Sequence, residues 1–127
     1  MGKFEIFEKD VVENILKTCD NDLAPKILEQ YKKSTVINRE FTGVGFFTSF
    51  QVEDKSLSLG SDVNFGLGSI GAEIEGLKYK HAGFILYIED GLLAELEGYS
   101  CGDDGWPNEI TEYSLYIINK DGSSSEI

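Results

Sequence analysis

Phe84-Ile85-Leu86-Tyr87-Ile88-Glu89-Asp90-Gly91-Leu92-Leu93-Ala94-Glu95-Leu96-Glu97-Gly98 is the stretch whose reading decides the fold. Two apolar-rich runs flank Glu-Asp-Gly, the chemistry of a tight β-hairpin turn. Two registers compete. A two-residue Asp90-Gly91 turn pairs Ile88 with Leu93 and Leu86 with Glu95, which mixes apolar and acidic side chains on one face. A three-residue Glu89-Asp90-Gly91 loop pairs Ile88 with Leu92, Leu86 with Ala94 and Phe84 with Leu96. Side chains alternate along a strand, so only the second register makes one wholly apolar face. That register is the expectation, with Gly91 in the left-handed position of a bulged turn. The opposite face then carries Ile85 and Tyr87 beside Leu93, Glu95 and Glu97.

On the N-terminal side, residues 4–33 read as helical. Phe4, Phe7, Val11 and Ile15 recur at helical spacing, with Val12 and Leu16 widening the stripe. Asp10 and Glu13 offer a capping box that would start the firm helix at Val11. In that case Phe4-Glu5-Ile6-Phe7 would be an extended lead-in, and the sequence leaves both open. Asp20-Asn21-Asp22 breaks the segment, and Asp22 is the expected cap of a second helix that carries Pro25 in its first turn. Ile27, Leu28 and Tyr31 are its expected inner face. From Ser34 the period becomes two: Thr35 to Phe41 reads as a strand, and Phe46, Thr48, Phe50 and Val52 share one face of a second.

The middle is glycine-rich, at Gly60, Gly66, Gly68, Gly71 and Gly76. It has no phosphate-loop pattern and opens no helix, so it reads as loop with a short strand of alternating Ile70, Ala72 and Ile74. After the hairpin, 98–107 reads as a loop holding the single tryptophan, Trp106. Residues 110–118 alternate again as a final strand, expected beside the hairpin. The polar end, 119–127, is expected to fray. The whole is one α+β domain over 1–127: two N-terminal helices packed on a mainly antiparallel sheet of about five or six strands.

Composition narrows the function. The formal net charge is -12 over 127 residues. Such a chain repels nucleic-acid phosphates and anionic membranes, and suits a cationic partner. No run is long and apolar enough for a membrane span, and the N-terminus lacks the pattern of a secretory signal. The two cysteines, Cys19 and Cys101, make no CxxC, which points to a reducing cytoplasm.

No constellation carries a familiar chemistry. Glu95 and Glu97, two apart on one strand face, have the spacing of a carboxylate pair, so a small hydrolase is the alternative function. Any solvated strand with alternating glutamates has that spacing too. His81, the lone histidine, has no nucleophile motif beside it, with Cys101 or a serine as the only candidates. The segment Asp103-Asp104-Gly105-Trp106-Pro107-Asn108-Glu109 is rich in oxygen but fails the calcium-loop pattern. No catalytic residue, metal or cofactor is therefore assigned, and an enzyme is the less favoured class.

Phe41-Thr42-Gly43-Val44-Gly45-Phe46-Phe47, Ile88-Glu89-Asp90-Gly91 and Leu96-Glu97-Gly98-Tyr99, with Trp106-Pro107 behind them, resemble a family of small uncharacterised bacterial α+β proteins over residues 34–113. That family implies no functional residue. In size, acidity and layout the chain is also similar in type to the immunity proteins of bacterial toxin systems. That likeness implies a cytoplasmic binding protein that neutralises a cationic toxin. The expected acidic surface comprises Glu95, Glu97, Asp103, Asp104, Trp106, Glu109 and Glu112. The partner's identity and the oligomeric state are not legible.

Overall fold

The computed structural model describes residues 2–77, 80–102 and 105–127. Two helices, α1 (Lys3–Thr18) and α2 (Ala24–Lys33), lead into β1 (Thr35–Phe41) and β2 (Gly45–Gln51). A short 3-10 turn at Lys55–Leu57 precedes β3 (Phe65–Leu67), β4 (Ile70–Ile74), β5 (His81–Glu89) and β6 (Leu92–Ser100). The chain ends with β7 (Tyr113–Ile118) and β8 (Ser124–Glu126).

Helix α1 begins at Lys3 rather than Val11, so no extended lead-in exists. The reason is energetic. A capping box adds about 1 kcal/mol, whereas each buried large apolar side chain adds roughly 1.5–3 kcal/mol. Continuing the helix backward seals Phe7 completely and sets Phe4 edge-on against Phe46, with centroids 4.9 Å apart. Asp10 is thereby freed from capping. It accepts a hydrogen bond from the Tyr113 hydroxyl at 2.9 Å and another from Asn14 Nδ2 at 2.9 Å, which ties α1 to β7. Asp22 does not cap α2 either. Leu23 takes the cap position, and its backbone N–H donates to Asn21 Oδ1 at 2.9 Å.

Among the described residues all strand pairs are antiparallel, and eight strands form one sheet, more than the five or six expected. The order is β1-β2-β6-β5-β4-β7-β8, with β3 also pairing β5. The hairpin β5–β6 is indeed central. Its free edge is taken by β3 and β4, which pair with Leu86–Ile88 and His81–Gly83 respectively. That occupancy pushes β7 outward: it pairs with β4 rather than lying beside the hairpin. The polar end turns back as β8 along β7 instead of fraying.

Neither sequence register survives whole. The turn has two residues, with Asp90 at φ 53° and Gly91 at φ 77°, the primed turn that matches strand twist. Ile88 therefore pairs with Leu93, but Tyr87 pairs with Glu95, leaving Ala94 as a β-bulge. Past the bulge Leu86 opposes Leu96, and Phe84 opposes Gly98 rather than Leu96. The bulge answers the objection to the two-residue turn. It rotates the acidic residues off the apolar face without lengthening the turn.

The expected core forms. Phe46, Phe84, Leu86 and Leu96 are all buried, joined by Phe7, Val11, Ile15, Ile27, Ile70 and Ile74 under the helices. One buried polar residue, Gln30, is fully satisfied. Its Nε2 donates to the carbonyls of Leu57 (2.8 Å) and Gly91 (2.9 Å), and its Oε1 accepts from Leu93 N at 2.7 Å. The hairpin turn is thus not a free tip. Gly91 N donates to Val63 O at 2.8 Å, and a Cβ at Gly91 would collide with Ser58 and Gly60. Only glycine allows that close approach together with a positive φ.

Candidate functional site

The two helices cover one face of the sheet and leave the other open. Register places the open-face side chains. Glu40, Phe47, Glu97 and Ile85 make one row across β1, β2, β6 and β5. Asn38, Ser49, Glu95 and Tyr87 make the next. At the far end Glu73 opposes His81 and Ser114, and Gly71 opposes Gly83 and Tyr116. Ile85, Tyr87, Glu95 and Glu97 are half-buried by their neighbours, and Tyr99 is 39% exposed.

Glycines flatten this surface. A Cβ at Gly83 would overlap the Tyr99 ring, and one at Gly71 would overlap the Tyr116 ring. Each tyrosine therefore lies down across a neighbouring strand, covering backbone that lacks a side chain, in the manner of aromatic rescue. Burial pushes both hydroxyls above their ordinary range. The result is a broad, firm aromatic platform with carboxylates standing among the rings.

The electrostatics are one-sided. Tyr87 donates its hydroxyl to Glu97 Oε1 at 2.8 Å, and that bond holds the phenol proton on, pushing its pKa up. Glu95 is raised from the usual carboxylate range, first by burial and then by the charges of Glu89, Glu97 and Glu40. Among the described residues the ion pairs are Lys3–Glu109, Lys33–Glu29, Arg39–Glu8 and Lys120–Asp20. None of them reaches the open-face carboxylates. The one arginine near this edge, Arg39, points to the helix side. It donates from Nε to Glu8 Oε2 (3.1 Å) and from Nη2 to Oε1 (2.8 Å), and Thr48 adds a bond to Glu8 Oε2 at 2.6 Å.

The expected acidic surface is divided by this geometry. Glu95 and Glu97 share the open face. Trp106 packs on the opposite side, its ring 5.4 Å from that of Phe46 with an interplanar angle of 62°. Its backbone N–H is held by Gly43 O at 2.7 Å. Glu109 pairs with Lys3 at the start of α1, 3.4 Å apart on an exposed surface. Glu112 sits where β4 ends and β7 begins, beside Glu73, Glu75 and Lys80. Asp103 and Asp104 lie outside the described residues. Sequence reading missed Glu40, Glu89 and Tyr116. Glu40 shares a row with Glu97 only because β1 and β2 form the flank of the hairpin, a long-range pairing that local periodicity does not report.

Two open hollows mark the ends of the face. One of about 550 Å³ lies over β7, lined by Glu73, His81, Ser114, Tyr116 and strand β8. Within it His81 Nδ1 and the Tyr116 hydroxyl are 3.1 Å apart. Cys101 stands next to His81 in the fold, its backbone N–H donating to His81 O at 2.9 Å, but the imidazole bonds to Tyr116 rather than to the thiol. The second hollow, of about 440 Å³, is lined by Ile37, Ser49, Leu92, Glu89, Glu95 and Lys55 among others, with Lys55 Nζ donating to Val52 O at 3.0 Å rather than to a carboxylate. Glu97 is outside it, committed to Tyr87, so the two glutamates do not face each other across a cleft. Among the described residues no cluster of three or more histidine, cysteine, aspartate or glutamate side chains has metal-site geometry. The open face thus sets carboxylates beside an aromatic floor.

Comparison with protein-family models, with curated proteins and with solved structures found no match for this chain.

Proposed function

We propose that the protein is a small binding protein that captures a cationic protein on the open face of its sheet, as an immunity protein neutralises a basic toxin. One observation carries this reading. Glu95 is raised first by its burial and then by the charges of Glu89, Glu97 and Glu40, and none of these four carboxylates has an ion-pair partner among the described residues. Gathered like charge costs folding free energy unless a cation meets it. Tyrosines among these carboxylates add contact area at low entropic cost, and cation–π attraction to lysine or arginine. The cytoplasmic setting belongs to the same proposal. It is supported by the unpaired Cys19 and Cys101 and by the absence, among the described residues, of a helix long and apolar enough to cross a membrane.

The test is affinity capture from the organism that encodes the chain, using wild type and a Glu95→Lys/Glu97→Lys variant at low and high salt. Wild type should retain a basic protein that elutes with salt, and the variant should not. Equal retention by both proteins removes the open face from the interaction.

A further inference from the structure

We infer that β1 is a strand-addition site, at which an extended basic segment of the partner pairs with the free edge of the sheet. This deepens the proposed function and rests on it. The sheet's free edges are unequal. β8 has 3 residues and is wholly polar, and β3 has 3 residues, whereas β1 runs for 7. An edge strand of that length presents, on its outer side, a row of N–H and C=O groups ready for another chain.

Exposed apolar side chains gather at this same edge. Val36 is 40%, Ile37 59% and Phe41 57% exposed, with Val44 at 44% just beyond the strand. A bulge at Ile37 interrupts the pairing of β1 with β2, but from Asn38 to Phe41 the register is regular. That stretch is the template. Its two sides differ in chemistry. On the open face Glu40 stands in line with Glu97, with Phe47 between them. On the helix side Phe41 leans on Phe4 and Phe46, at 5.3 Å and 6.4 Å between centroids, and keeps its outer surface bare. A strand laid against β1 has alternating faces. The matching segment therefore carries lysine or arginine toward Glu40 and apolar side chains toward Phe41 and Val36. A second copy of this chain is a poor occupant. Pairing identical edges would set two open faces of the same acidic character side by side, on molecules of net charge -12 each.

The probe is an acetylated, amidated peptide of four Val-Lys repeats, compared with the same peptide N-methylated at every residue. Methylation keeps the charge and removes the N–H donors of the peptide bonds. In an NMR titration at low salt, the plain peptide should shift the amides of Asn38 to Phe41 and bind at least about ten-fold tighter than the methylated one. Equal binding of the two peptides, with shifts confined to the Glu95 and Glu97 rows, would overturn strand addition and leave open-face capture standing. Binding of neither peptide would overturn strand addition as well. Open-face capture is decided separately, by the Glu95→Lys/Glu97→Lys variant.

Discussion

The side-chain oxygen of Gln30 accepts the backbone N–H of Leu93 at 2.7 Å, so helix α2 holds the bulge of the central hairpin. The amide nitrogen of the same side chain serves the carbonyls of Leu57 and Gly91. Replacing Gln30 by leucine keeps much of the volume and strips all three bonds. Gly91 O retains Leu59 N at 2.9 Å, but Leu93 N and Leu57 O lose the partner that Gln30 provides. A buried polar group left unpaired costs about 1–3 kcal/mol. Gln30→Leu should therefore lose at least about 2 kcal/mol in urea denaturation. A loss under about 0.5 kcal/mol would mean that water reaches the turn.

Local pattern reveals what is local. The hairpin, the strand of Phe46, Thr48 and Phe50, and the alternation of Ile70, Ala72 and Ile74 are each written in a few consecutive residues, and each appears in the structure. The bulge at Ala94 is not local. It is settled by which residues the helices must cover, and by Gln30, which arrives from 63 positions away. The only signal for Gln30 was its place three residues after Ile27, on the buried stripe of α2. Trp106 was half legible: a lone tryptophan in an acidic loop is expected to tuck onto the sheet, and it does so against Phe46, but on the helix side and away from the carboxylates it was grouped with. The open face was half legible. Alternation showed Tyr87, Glu95 and Glu97, while Glu40 and the placing of Tyr99 and Tyr116 required the strand order.

The Glu8–Arg39 pair gives a second stability prediction. The Glu8 side chain is 4% exposed and that of Arg39 is 28% exposed, so removing the arginine leaves a buried carboxylate held by Thr48 alone. Arg39→Ala should cost about 3 kcal/mol, the low end for breaking a buried pair because Arg39 keeps some solvent. Arg39 also ties the edge strand β1 to α1. Hydrogen exchange across 35–41 should therefore quicken more than exchange in β5 and β6. Uniform acceleration over the whole sheet would show that the pair supports the global fold rather than the edge.

Alkaline pH isolates two tyrosines. Burial, followed by the Asp10 hydrogen bond, pushes Tyr113 up to about 12, and burial followed by the charge of Glu8 pushes Tyr31 up to about 12. Both values exceed the ordinary 10.0 of the unfolded chain. The stabilisation is therefore fully present below about pH 10 and drains away as pH rises toward about 12. Unfolding free energies measured across that window should fall, and Tyr113→Phe should flatten the decline. An unchanged slope in the variant would show that Tyr113 titrates as an ordinary phenol.

Glu95 links stability to binding. Its folded carboxyl is raised, first by burial and then by Glu89, Glu97 and Glu40, so the fold prefers it protonated. The cost is absent below the ordinary carboxylate range and appears as pH rises through the raised folded value. Glu95→Gln should accordingly stabilise the free protein at neutral pH and make no difference near about pH 3. The same substitution should weaken a cationic partner, slow its association and reduce the salt dependence of the rate, because one steering charge is gone. Stability and affinity then move in opposite directions at a single residue, as they do where charge is kept for recognition. Thermal unfolding and stopped-flow association on the same variant measure both. A variant that is no more stable at neutral pH and still binds at the wild-type rate would assign Glu95 to solvation alone.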